Sequence, residues 1–177
     1  IDYENLVVRA AQAFSVQGYL VLVKDHPSQF GFRQHELIDR LKNIPHVIFL
    51  PYEVSGNEAV SLVDTNFTLT GTLGLQSALL GLTSIVSPTY YATEGDFLKF
   101  DELAEIESLP QRAQSWQDAL ALPQRQRRIL ANLLAGSFEG DYFSFRGFRP
   151  DAPPPSVVIL ARNLGNRLRK VIRHGLQ

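Results

Sequence analysis

Two short turns in the chain carry residue types suited to holding an anion. The first, Lys24-Asp25-His26-Pro27, ends the apolar run YLVLV at 19–23. The second, Thr70-Gly71-Thr72-Leu73-Gly74, closes the run FTLT at 67–70 and leads directly into LGLQSALL. Pro27 fixes the backbone beside His26 and so fixes where the imidazole points. An imidazole there could donate to a phosphate, or protonate a leaving group as general acid, and Lys24 could add charge. Small and hydroxyl-bearing residues at a helix start leave backbone N–H groups open to a closely approaching anion. Thr70 and Thr72 add hydroxyl donors. Each turn also has a plainer alternative. His26 could satisfy a backbone group, Lys24 could reach solvent, and Thr72 could cap the helix while the glycines allow close packing. The second turn is neither a Walker sequence nor the three-glycine dinucleotide fingerprint.

Other constellations are absent from the sequence. The histidines at 26, 35, 46 and 174 share no metal-ligand spacing, so no metal is expected. No Gly-x-Ser-x-Gly elbow and no Asp-x-Asp pair occurs. Glu94 and Asp96 flank Gly95 in an aromatic stretch; they could act as acid or base, but an exposed turn is the expected reading.

The elements that must position these turns alternate in type. Leu6, Val7, Ala10 and Phe14 recur at helical spacing, and the apolar run 19–23 follows as a strand. Leu37, Ile38 and Leu41 mark a helix over 33–43, and 46–50 is a second strand. A short helix over 57–64, a strand at 67–70, a helix over 73–80 and a strand at 83–87 continue the pattern. Apolar strands separated by helices pair in parallel with both sheet faces covered. The expectation is therefore an α/β fold, a doubly wound Rossmann-like parallel sheet followed by C-terminal helices. A strand that would ordinarily precede the first helix is missing from this pattern. In such sheets ligands bind beyond the carboxyl ends of the strands, where both turns fall.

The second half reads differently. Residues 87–100 read as an aromatic loop, and 110–122 and 123–136, each opening on Pro, as surface helices. The expected divisions are a Rossmann-like domain over 1–136, an aromatic and proline-rich linker over 137–156, and a basic amphipathic helix over 157–177. In that last segment Val157, Leu160, Leu164, Leu168 and Val171 form a stripe. All 18 acidic residues lie at or before Asp151, whereas Arg162, Arg167, Arg169, Lys170 and Arg173 crowd the last 17 residues. Such a helix could lie on an anionic membrane or pack against another domain.

The chain has 177 residues, enough for one sizeable core. It has no Cys, which excludes disulfides and thiol chemistry. It has no Met and begins at Ile1, so an excised domain or processed fragment is expected. No charged-then-apolar leader and no apolar run of about 18 residues is present, so neither a signal peptide nor a membrane span is expected.

The segments VKDHPSQFGFRQHELIDRLKNIPHVIFLP and TLTGTLGLQSALLGLTSIV together resemble the capsule polysaccharide biosynthesis family. They are most similar to its Kdo-transferase type, inverting glycosyltransferases of the GT-B fold. That family has a Lys-x-His-Pro turn, a Gly-x-Arg helix opening, an Ile-Pro-x-Val strand and a Thr-Gly-Thr-x-Gly turn, in this order. The TYYATEGDF segment is similar to the family's tyrosine- and glycine-containing stretch, and the match runs over roughly 19–97. The resemblance implies a CMP-sugar donor, CMP-Kdo above all. Its phosphate would be contacted at His26 and Pro27 and cradled by Thr70, Gly71 and Thr72, with Lys24 adding charge to the same donor site. Gly31 and Arg33 match the Gly-x-Arg element, in a structural or phosphate-steering role. Gln76 stands where the family has Glu, and would hydrogen-bond sugar or ribose hydroxyls. Gly81-Leu82-Thr83 replaces the family's Gly-Lys-Pro.

The resemblance also implies that no metal is needed and that a glycan or glycolipid acceptor is the partner, with no nucleic acid. An N-terminal GT-B domain outside this chain would supply the catalytic base, and the location would be cytoplasmic, at the inner face of the membrane. A nucleotide-sugar epimerase-like domain is the enzymatic alternative. A non-catalytic interaction module is the other.

Overall fold

The computed structural model describes residues 3–26, 29, 31–69, 71–116, 120–136, 158–159, 161–166 and 169. Helix α1 (Tyr3–Val16) forms because Leu6, Ala10 and Phe14 recur every fourth residue and share one buried face. That face packs on Ile85, Leu98, Phe100 and Ile106. Val8 and Ala11 bury an adjoining face against Leu37, Leu41 and Ile44. Gly18, at φ +86°, supplies the left-handed turn after the helix.

The chain then runs β1 (Val21–Val23), α2 (His35–Lys42), β2 (Val47–Phe49), α3 (Gly56–Val60), β3 (Thr65–Thr68), α4 (Thr72–Leu79) and β4 (Thr83–Val86). The expected alternation holds. Strands β1 and β2 pair in parallel, with Val21 opposite Val47. Strands β3, β4 and β5 (Leu98–Lys99) form a second parallel sheet, with Thr65 opposite Thr83 and Ile85 opposite Leu98. The architecture is mixed α/β with two small parallel sheets, where the sequence pattern led to one.

Three sequence expectations need correction. The third strand lies two residues earlier than 67–70, because Thr83 N–H donates to the Asp64 carbonyl and starts the ladder there. The segment 87–100 is not wholly loop, since Leu98 and Lys99 extend the β3–β4 sheet. The helices after it are not confined to the surface. A 3₁₀ helix, Leu103–Ser108, leads into α5 (Leu109–Gln114), which buries Leu109, Pro110 and Ala113. Helix α5 ends at Ser115, whose hydroxyl donates to the Gln111 carbonyl and so competes with helix continuation. Helix α6 (Leu122–Gly136) buries Arg125 and Ile129.

The chain divides into two units, Ile1–Ile129 and Leu130–Gln177, so the division falls within α6. In the second unit, residues 158–159, 161–166 and 169 are helical, with Arg162 and Arg169 exposed and Leu164 about half exposed. The predicted linker 137–156 lies outside the described residues, as do Val157, Leu160, Leu168, Val171, Arg167, Lys170 and Arg173. No helix among the described residues is long and apolar enough to cross a membrane.

Candidate functional site

The two turns emerge at the carboxyl ends of β1 and β3. The first is organised by Asp25, a residue sequence reasoning passed over. Its Oδ1 accepts from Arg33 Nε and Nη2 at 3.1 and 3.0 Å and from His26 N–H at 2.9 Å. Its Oδ2 accepts from the Tyr52 hydroxyl at 3.0 Å. Burial pushes the Asp25 carboxyl up, but the Arg33 and Tyr52 hydrogen bonds, the Arg33 charge and the His26 N–H outweigh it. The carboxyl is held below its ordinary value. Lys24 Nζ donates to the Asp25 carbonyl at 2.7 Å and lies 5.3 Å from the centre of the Tyr52 ring. Arg33 of the Gly-x-Arg element is thus an ion-pair partner of the turn, and Gly31 adopts φ +78° just before it.

This clamp holds Asp25 and the N–H of His26 beside it, and His26 itself is exposed. The His26 carbonyl accepts from Gln29 N–H at 2.8 Å, which tightens the turn. Pro27 and Thr70, both expected at the site, lie outside the described residues.

In the second turn Gly71, not Thr72, is the N-cap of α4, at φ −71° and ψ 147°. Thr72 occupies the first helical position, and the N-cap, being glycine, supplies no side-chain cap. The first turn carries no acidic residue, so nothing there repels an anion. Gly74 is a packing glycine: a Cβ there would lie 2.6 Å from Tyr91 Oη and 2.7 Å from Val86 Cγ1. Gln76 turns its Oε1 into the interior, where it is buried without a partner among the described residues.

The aromatic segment braces this turn. Tyr91, 3% exposed, donates its hydroxyl to the Gly71 carbonyl at 2.6 Å. Burial, with Tyr90 beside it, pushes its phenol up to about 12. Asp96 is not an exposed turn residue but fully buried. It accepts from Arg128 Nη2 at 2.6 Å, Arg128 Nε at 2.8 Å and the Thr93 hydroxyl at 2.7 Å. Burial raises the Asp96 carboxyl, and these bonds with the Arg128 and Arg125 charges bring it below its ordinary value. Arg125 Nη2 donates to the Asp96 and Leu82 carbonyls at 2.8 and 3.2 Å. Both oxygens of Asp96 are engaged, which suits a structural anchor and not proton transfer. Glu94 pairs with Lys99 at 2.7 Å on the surface.

Lys24, Asp25, Arg33, Leu69 and Leu73 line one cavity of about 830 Å³, so both turns reach the same opening. His26, Gly71, Thr72 and Gln76 are not on its described wall. No cluster of three metal-ligating side chains occurs among the described residues. The fold is a mixed α/β unit with parallel strands, and the two turns follow the carboxyl ends of β1 and β3. No family model matches the chain, and neither a curated protein nor a solved structure matches it.

Proposed function

We propose that this chain is the donor-binding half of a glycosyltransferase that uses a CMP-activated sugar, with CMP-Kdo as the first candidate. One observation carries the reading. An exposed His26 on a turn clamped by Asp25, Arg33 and Tyr52 stands at the carboxyl end of one strand. The acid-free start of α4 stands at the carboxyl end of another. A parallel α/β sheet of the Rossmann-like kind binds nucleotides across such strand ends. His26 would donate to the donor phosphate as it leaves, and the Thr72 and Leu73 N–H groups would receive its oxygens. The acceptor glycan and the catalytic base belong, in this reading, to a second GT-B domain. The basic C-terminal segment would hold the assembly at an anionic membrane face.

Calorimetric titration with CMP, CDP and UDP tests the reading. CMP should bind in preference to UDP, and His26→Ala should weaken it by about 1.5–3 kcal/mol, the range for a hydrogen bond to a charged group. Because His26 is exposed, the variant should keep its fold. Preference for UDP would favour the epimerase alternative. No binding by any of the three would remove the nucleotide-sugar reading.

A further inference from the structure

The two sheets leave an opening between them. Among the described residues β1 has β2 as its hydrogen-bonded neighbour and β3 has β4, so each keeps one free edge. A strand in a parallel ladder bonds its neighbour through alternate residues. Val21 N–H donates to the His46 carbonyl, and the Val23 carbonyl accepts from Leu50 N–H, which turns the peptide groups of Leu22 the other way. On β3 the Asp64 carbonyl accepts from Thr83 N–H, which turns those of Thr65 and Phe67 away from β4.

Both free edges border the 830 Å³ cavity, which residues 21–25 and 64–69 line together with Leu37, Leu41 and Val60. Asn66, whose Nδ2 is buried without an acceptor among the described residues, lines it too. Protein interiors hold few voids larger than a water molecule, and buried peptide groups are almost always paired.

We propose that a further parallel β-strand sits between β1 and β3, and that it is the polypeptide leading into α1. Tyr3 and Glu4, at the start of α1, line the same cavity as Lys24 and Asp25, which follow the carboxyl end of β1. A strand running parallel to β1 would finish there, a short connection from α1. The helix then returns the chain to β1, whose free edge borders the cavity, which completes a strand–helix–strand unit. Helix α1 packs on α2, and α3 packs on α4. That is the pairing expected where winding reverses between β2 and β3, and the added strand stands at the reversal. The order becomes β2, β1, added strand, β3, β4, β5. Its occupant should have about five or six residues and be apolar on both faces, because helices cover both sides.

The test is amide hydrogen exchange by NMR on the 177-residue chain, alone and with Val-Thr-Val-Ile-Val-Ser joined ahead of Ile1. In the chain alone, the amides of Leu22, Thr65 and Phe67 should exchange quickly while Val23 and Asn66 are protected. The added segment should slow those three amides at least tenfold. The same segment with Pro at its second and fourth positions should slow them far less, since it lacks donors. Protection of Leu22, Thr65 and Phe67 already present in the monomeric chain alone would overturn the proposal, because the edges would then be paired. So would an added segment that leaves the exchange unchanged. Protection that appears only with dimer formation would assign the opening to a second copy and overturn the assignment to the segment before α1.

Discussion

Gly74→Ala separates two opposed effects at the turn that begins α4. Alanine favours a helix interior over glycine by about 1 kcal/mol, so propensity alone makes the substitution stabilising. The surroundings decide otherwise. The new Cβ would stand 2.6 Å from Tyr91 Oη, 2.7 Å from Val86 Cγ1 and 3.0 Å from Thr68 Cγ2. Val86 is fully buried in β4 and cannot retreat into solvent. Tyr91 could move only by loosening its 2.6 Å bond to the Gly71 carbonyl. Overpacking of this kind costs about 1–3 kcal/mol, and the weakened hydrogen bond adds about 1 kcal/mol. Against a gain of about 1 kcal/mol, the net expectation is destabilisation by about 1–3 kcal/mol. Urea unfolding should show a lower midpoint with an unchanged slope. Repeating Gly74→Ala in a Tyr91→Phe background removes the hydroxyl from the clash, so the penalty should shrink there by about 1 kcal/mol. A neutral or stabilising Gly74→Ala would refute the packing argument. An equal penalty in both backgrounds would clear the Tyr91 hydroxyl of any part in it.

Other expectations follow from the charges and the aromatic brace. Asp25 and Asp96 are both held below the ordinary carboxylate value, so their contribution is full above a pH of about 4 and is lost as pH falls further. Asp25→Asn should flatten that acid limb in pH-dependent unfolding, and an unaltered limb would assign it to other carboxylates. Tyr91 is raised to about 12, so its contribution is full below a pH of about 10 and is lost as pH rises toward 12. Phenolate absorbance should show a component titrating toward 12 that is lost in Tyr91→Phe; a titration curve that Tyr91→Phe leaves with the same late component would refute the burial of this phenol. The basic C-terminal segment should sediment with phosphatidylglycerol liposomes in a salt-sensitive way, and a chain ending at Pro155 should not. Equal binding by the shorter chain would defeat a membrane role for that segment.

Local chemistry in the sequence determined the order of the elements and the position of the two turns. Leu6, Ala10 and Phe14 can be read as a helix face without knowing what they touch, because the period of a helix is local. The runs 19–23, 46–50 and 83–87 stand out as strands for the same reason, and charge or Pro marks where the first two stop. Tertiary structure alone decided what holds those turns. Asp25 looks like an ordinary loop acid until Arg33, 8 residues on, and Tyr52, 27 residues on, converge on its two oxygens. Asp96 reads as an exposed turn residue because Arg128, which makes its burial tolerable, is 32 residues away. Strand β5 has just two residues and no period of its own, and it exists because β4 offers an edge beside it. Apolar composition makes a strand, but its neighbour is chosen by hydrogen-bond partners brought up from elsewhere in the chain.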